Sequence, residues 1–199
     1  MSQQTALLYK KSWFYHGAMA LAYRAHRQER FRAVAHWVPD GAAVLDVCCG
    51  DGSLAKYLPP STRYRGLDYN PAFVHAARRR GRQVEAFDLW RDPLPASQIV
   101  ICQVSLFQFY PKVDTVLAHL FEAAGQRLIV SESVRSLTQS RWPWIRSVVA
   151  WSMRMDGMAT GRFRFTPEKL EILFDPYRPH MRHRGPICGG RDWLFVLDK

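Results

Sequence analysis

The sequence predicts an α/β domain: a mostly parallel sheet with helices on both faces, closed at its C-terminal end by an antiparallel hairpin. Three observations carry this expectation. From Gly41 onward, short β-rich runs alternate with helical patterns, the order that a parallel sheet with crossover helices requires. The run Ile99 to Cys102 is continuously apolar and Val84 to Phe87 is apolar apart from Glu85, as expected of strands covered on both faces. Near the end of the chain, two further β-rich runs are separated by Gly185-Pro186 and Gly189-Gly190, the composition of a tight return.

The elements follow in order. Trp13 to Val38 carries helical signals, with Phe31, Val34, Ala35 and Val38 on one face, and is expected to cap the sheet's carboxyl edge. Ala43 to Val47 reads as the first strand, and Ser53 to Leu58 as the helix after a glycine loop. Tyr64 to Asp68 is the second strand. Asn70-Pro71 then caps a helix to about Arg80, since Asn accepts from free amides and Pro suits the first helical position. Val84 to Phe87 and Ile99 to Cys102 follow as strands, divided by Pro93 and Pro95. Val113, Val116, Leu117, Leu120 and Phe121 form one apolar helix face, which leads into a strand at Arg127 to Val130. Thr166-Pro167-Glu168 opens a last helix, with its body at Lys169 to Phe174. His180 to Arg184 and Trp193 to Leu197 complete the hairpin, giving seven strands.

A chain of 199 residues with 48% hydrophobic content suits one domain with its own core. Its four cysteines, Cys48, Cys49, Cys102 and Cys188, include no C-x-x-C pair, so neither a disulfide framework nor a zinc site is expected. With no apolar leader and no apolar stretch of 18 residues, the expected compartment is the reducing cytoplasm. The net charge of +11 permits an anionic partner. Its clusters, Arg78-Arg79-Arg80-Gly81-Arg82 and Arg182-His183-Arg184, lack interleaved aromatics and read as solvated surface rather than a nucleic-acid face.

Asp46-Val47-Cys48-Cys49-Gly50-Asp51-Gly52 carries the most chemistry: a buried strand meets a helix through glycines that let a ligand approach the backbone. The stretch resembles motif I of the class I S-adenosylmethionine-dependent methyltransferases, an acid followed by Gly-x-Gly-x-Gly. Here Cys48 takes the first glycine position, a version similar to that of the ubiquinone and menaquinone biosynthesis methyltransferases. The resemblance implies a Rossmann-like sheet and S-adenosylmethionine as cofactor. It also implies a cofactor set of Asp46, Cys48, Gly50, Asp51, Gly52, Asp68, Tyr69, Asp88, Leu89 and Gln103. Asp68, 18 residues after Gly50, would accept from the ribose hydroxyls. Asp88 and Leu89 would meet the adenine, and Gln103 would offer its backbone oxygen to the ammonium. On this reading residues 1–40 are a cap, 41–133 the cofactor core, 134–165 an acceptor-side insertion, and 166–199 the closing helix and hairpin.

Other readings stand beside it. Asp68 and Asp88 could be strand-end acids that cap neighbouring backbone. Gly50-Asp51-Gly52-Ser53-Leu54-Ala55 also satisfies Gly-x-Gly-x-x-Ala, the fingerprint of NAD(P)-dependent oxidoreductases. Against that class stand Asp46, inside the strand before the loop, and the closing hairpin. A cofactor-binding protein without turnover is a third reading.

The resemblance implies methyl transfer to a small, hydrophobic or aromatic acceptor. His16 and Tyr15 in the N-terminal cap are the candidate bases, and Phe107, Trp144, Trp151 and Met155 the candidate acceptor wall. Trp144, Val148, Trp151 and Met155 would share one helix face, and with Arg141, Arg146 and Arg154 the stretch also reads as an interfacial membrane helix or as plain core. Nucleic acid is the less favoured acceptor, because Gln103 to Tyr110 lacks the Asn/Asp-Pro-Pro-aromatic tetrapeptide that holds a flipped base.

Overall fold

A computed structural model describes residues 25–134 and 164–199. The described chain opens with helix α1 over residues 25–35. It continues through β1 (Ala43–Val47), β2 (Arg63–Asp68), α2 (Pro71–Arg78), β3 (Val84–Ala86), β4 (Ser97–Gln103), α3 (Val113–Ala123), β5 (Ala124–Ser133), α4 (Pro167–Phe174), β6 (Met181–Ile187) and β7 (Asp192–Asp198). The strands form one seven-stranded sheet in the order β3-β2-β1-β4-β5-β7-β6. β1 to β5 pair in parallel, while β7 runs antiparallel to both of its neighbours, β5 and β6. The order reverses between β1 and β4, and the crevice at such a switch point is where open α/β sheets bind ligands.

Side chains alternate across the strands and build a core on each face. On one face Leu45, Val100, Leu128 and Phe195 pack with Val116, Leu117 and Leu120 of α3 and with Leu170 and Phe174 of α4. Phe174 stacks on Phe195 with centroids 4.0 Å apart. On the other face Val44, Ile99, Ile129 and Val196 pack with Phe31, Val34 and Val38. The described part of the expected cap thus lies against a face of the sheet, and its first turns reach the carboxyl edge. Among the described residues, no helix is long and apolar enough to cross a membrane.

Helix starts follow the sequence chemistry. Asn70 Oδ1 accepts from the Ala72 amide at 2.9 Å, and Thr166 Oγ1 from the Lys169 amide at 3.3 Å. Several elements differ from expectation, among them β4, which runs Ser97–Gln103, and His180, which ends a 3-10 helix (Asp175–His180) before β6. The turn after the glycine loop is a 3-10 helix, Ser53–Lys56, rather than a helix to Leu58; it has no side-chain cap, and Pro59-Pro60 blocks extension. β5 extends beyond Arg127 to Val130 in both directions, over polar residues that its pairing with β4 and β7 holds in register. β6 continues through Pro186, which an edge strand tolerates.

Candidate functional site

A cleft of about 830 Å³ opens at the carboxyl ends of β1 to β4. The loop after β1 forms its floor. Cys48 (φ 57), Gly50 (φ 59) and Gly52 (φ 64) all take the left-handed conformation. Two of the three are glycine; Cys48 holds the same conformation with a side chain, at the cost of local strain. A Cβ on Gly50 would meet nothing within 4 Å, so its backbone face is open to a ligand.

The loop is tied to β2. The Cys49 amide donates to the Leu67 carbonyl at 3.0 Å, and the Gly50 amide to Asp68 Oδ2 at 2.7 Å. Asp68 Oδ1 accepts from the Asn70 amide at 2.8 Å. Asp68 therefore borders the cleft and also caps neighbouring backbone, as its second reading expects.

Asp51 is the hub of a cationic cluster. Arg80 reaches its Oδ2 at 2.8 Å, Arg27 its Oδ1 at 3.5 Å, and Arg82 donates to its backbone carbonyl. Partial burial raises the Asp51 carboxyl, but the Ser53 hydroxyl and the Arg27 and Arg82 charges outweigh it and hold the group below its usual range. These contacts correct the reading of residues 78–82 as mere solvated surface. Arg80 and Arg82 brace the loop, and Arg78 Nε donates to the Val84 carbonyl at 2.8 Å.

Of the expected cofactor residues, Cys48, Gly50, Asp51, Asp68, Tyr69, Asp88, Leu89 and Gln103 line this cleft. Asp46 and Gly52 lie outside its wall. Asp46 is 1% exposed and accepts from the Tyr64 hydroxyl at 2.8 Å. Burial pushes its carboxyl up to about 7, against the pull of that bond. Gly52 faces Val84 and Arg82, which a Cβ would approach at 3.1 and 3.2 Å. Asp88 accepts from the Trp90 amide at 3.0 Å and pairs with Arg91 at 3.4 Å, so it too shapes its own turn.

Gln103 ends β4. Its carbonyl accepts from the Ser105 hydroxyl at 2.9 Å, and its buried Oε1 has no partner among the described residues. Val104 follows at φ 49, a strained conformation for a β-branched residue. Glu132, at the end of β5, holds this loop: its Oε2 accepts from the Leu106 amide at 2.9 Å and its Oε1 from the Ser133 amide at 3.1 Å. Burial pushes Glu132 up to about 7 despite those two bonds.

Sequence reasoning missed Glu132, which holds the loop after β4 from behind, and the α1 residues Arg27 and Arg30, both of which line the cleft. It also missed the rim aromatics Phe73, Trp90 and Phe109. The available signal for Arg27 and Arg30 was their spacing with Phe31 at i, i+3 and i+4, which puts all three on one face of α1. Trp90 and Phe109 meet edge to face at 5.5 Å. Phe107 is outside the cleft wall; it packs against the core with Arg164 over its ring at 4.8 Å. Tyr15, His16, Trp144, Trp151 and Met155 lie outside the described residues.

The family model described as methionine biosynthesis protein MetW matches residues 28–143. No curated protein matches the sequence. Several solved methyltransferases share the fold. The magnesium protoporphyrin IX methyltransferase of Synechocystis PCC 6803, with bound S-adenosylhomocysteine, superposes with a TM-score of 0.63 at 17% identity over 89% of this chain and 85% of that one. A SAM-dependent methyltransferase from Aquifex aeolicus gives 0.54 at 14% identity, covering 80% and 82%. Human N-acetylserotonin methyltransferase gives 0.59 at 18% identity over 85% of this chain and 51% of that one.

Proposed function

The chain belongs to the MetW family, and from that membership we propose that it binds S-adenosylmethionine and transfers the methyl group to a small hydrophobic or aromatic acceptor. The observation that carries the reading is Asp68, a carboxylate at the end of β2 that borders the cleft and holds the open-faced Gly50 backbone. The residues suit this cofactor. Asp68 offers acceptor capacity for vicinal ribose hydroxyls, Leu89 an apolar surface for the base, and the unpartnered Oε1 of Gln103 an acceptor for the ammonium. When bound, the cofactor supplies an electrophilic methyl on a sulfonium. The protein's part is then to align the acceptor and exclude water, since positive charge disappears during the displacement and a general base is optional.

Tyr15 and His16 are the proposed groups for proton removal where the acceptor requires it. Trp144, Trp151 and Met155 are the proposed acceptor wall, and the exposed aromatic rim of Tyr69, Phe73 and Trp90 supports a flat acceptor. The arginines near the loop engage Asp51, which supports a small molecule over nucleic acid. The proposed setting is cytoplasmic. A screen for S-adenosylhomocysteine release against phenols, quinones, lipids and RNA tests the acceptor. Turnover with a phenol or quinone supports the proposal, and turnover with RNA alone overturns it.

A further inference from the structure

The turn between β6 and β7 meets the start of α1 in a cluster that the cleft does not use. His26 of α1, Cys188 of the turn and Asp192 of β7 place their donor atoms within 4.8 Å of one another. His26 Nε2 lies 3.0 Å from Asp192 Oδ2, and the His26 side chain is only 11% exposed. Cys188 and Asp192 are buried. Cys188 takes φ 55 and is followed by Gly189 at φ 62 and Gly190 at φ 78. This tight bend brings the thiol to 3.8 Å from the His26 carbonyl. Asp192 Oδ1 is buried without a hydrogen-bond partner, an arrangement that costs free energy unless something else satisfies the oxygen.

We propose that His26, Cys188 and Asp192 form a binding site for a zinc-class divalent cation, with imidazole, thiolate and carboxylate donors and a fourth position for water. One nitrogen, one sulfur and one oxygen donor suit a borderline-soft ion without a rigid geometric demand. Tetrahedral bonds of about 2.0 to 2.3 Å put such donors roughly 3.3 to 3.7 Å apart, so on binding the 3.0 Å His26–Asp192 edge opens slightly while an edge near 4.8 Å closes. Arg30, 3.2 Å from Asp192 Oδ2, then serves as the outer partner that orients a ligating carboxylate. The Cys188 thiolate and the Asp192 carboxylate offset the two charges of the ion, and Arg30 remains hydrogen-bonded to Asp192. On binding, the Cys188 S–H bond breaks as a sulfur–metal bond forms, the Nε2–H that His26 directs at Asp192 gives way to a nitrogen–metal bond, and the released protons pass to solvent. The ion clamps α1 to the β6–β7 turn and so fixes Arg30, which lines the cleft.

The test is a titration of the full, chelator-treated chain with Co²⁺, an optical surrogate for Zn²⁺. The expected result is one ion per chain, with a thiolate-to-cobalt charge-transfer band and intense tetrahedral ligand-field bands that Zn²⁺ abolishes by displacement. Cys188→Ser removes the charge-transfer band and His26→Gln weakens binding at least about tenfold, while Cys49→Ser keeps the spectrum. A folded wild-type chain without a charge-transfer band overturns the site, as does a band that survives in Cys188→Ser or is unchanged in His26→Gln. If Cys188→Ser fails to fold, the His26→Gln titration decides. Calorimetry with S-adenosylhomocysteine on the same sample reads the cleft separately, so failure of either proposal leaves the other distinguishable.

Discussion

The Gly50 amide donates to Asp68 Oδ2 at 2.7 Å, so the acid at the end of β2 fixes the backbone of the loop after β1. Asp68→Ala removes an acceptor from two amides, Gly50 and Asn70, as well as from the proposed ribose site. The expected result is a loss of S-adenosylhomocysteine affinity of about 1 to 3 kcal/mol, with about 1 to 2 kcal/mol of stability lost alongside. Asp68→Asn, which keeps one carbonyl oxygen, falls between. Calorimetry and denaturant melts measure the two effects, and an unchanged dissociation constant removes Asp68 from the site.

Gly50 and Gly66 separate binding from packing. A Cβ at Gly50 meets nothing but the cleft, so Gly50→Ala costs about 1 kcal/mol of stability from its left-handed backbone yet weakens the cofactor at least about tenfold. At Gly66 a Cβ would stand 2.7 Å from Cys49 Sγ and 2.9 Å from Val84 Cγ2. Gly66→Ala is therefore expected to cost about 1 to 3 kcal/mol or more of folding stability. Paired melting and binding curves check this, and a Gly50→Ala protein with native affinity contradicts the backbone-approach account.

Glu132 makes stability depend on pH. Burial, the dominant cause, raises its folded carboxyl from the ordinary 4.5 to about 7. Between those values the folded chain holds a proton that the unfolded chain has released, so the stability tied to Glu132 is complete below 4.5 and lost as pH rises through 7. Glu132→Gln cannot ionise. Its stability relative to the parent should therefore improve by up to the order of 3 kcal/mol across this window. Melts of both proteins from acid to neutral pH measure the difference, and a difference that stays flat with pH refutes it.

The alternation of apolar runs and the caps at Asn70 and Thr166 made the sheet and most helices legible, because these signals are local. β5 was read short because its ends are polar, held by pairing with β4 and β7 rather than by their own hydrophobicity. The glycine loop and the strand-end acids Asp68 and Asp88 were legible through the family resemblance, and Cys48, Gly50, Asp51, Asp68 and Asp88 border the cleft while Gly52 does not. Asp46 shares the motif yet points into the protein, toward Tyr64, a partner that no run of sequence reveals. Arg80 and Arg82 looked like solvent charges because Asp51 lies some thirty residues away along the chain. His26 and Cys188 are 162 residues apart, beyond any ligand-spacing rule.

Calorimetry of the purified chain with S-adenosylhomocysteine and, separately, with NAD tests the central claim most directly. Asp68, the left-handed loop and the antiparallel β7 predict one saturable site for S-adenosylhomocysteine, weakened by Asp68→Ala, and no measurable heat with NAD. Saturable binding of NAD without binding of S-adenosylhomocysteine would contradict the account.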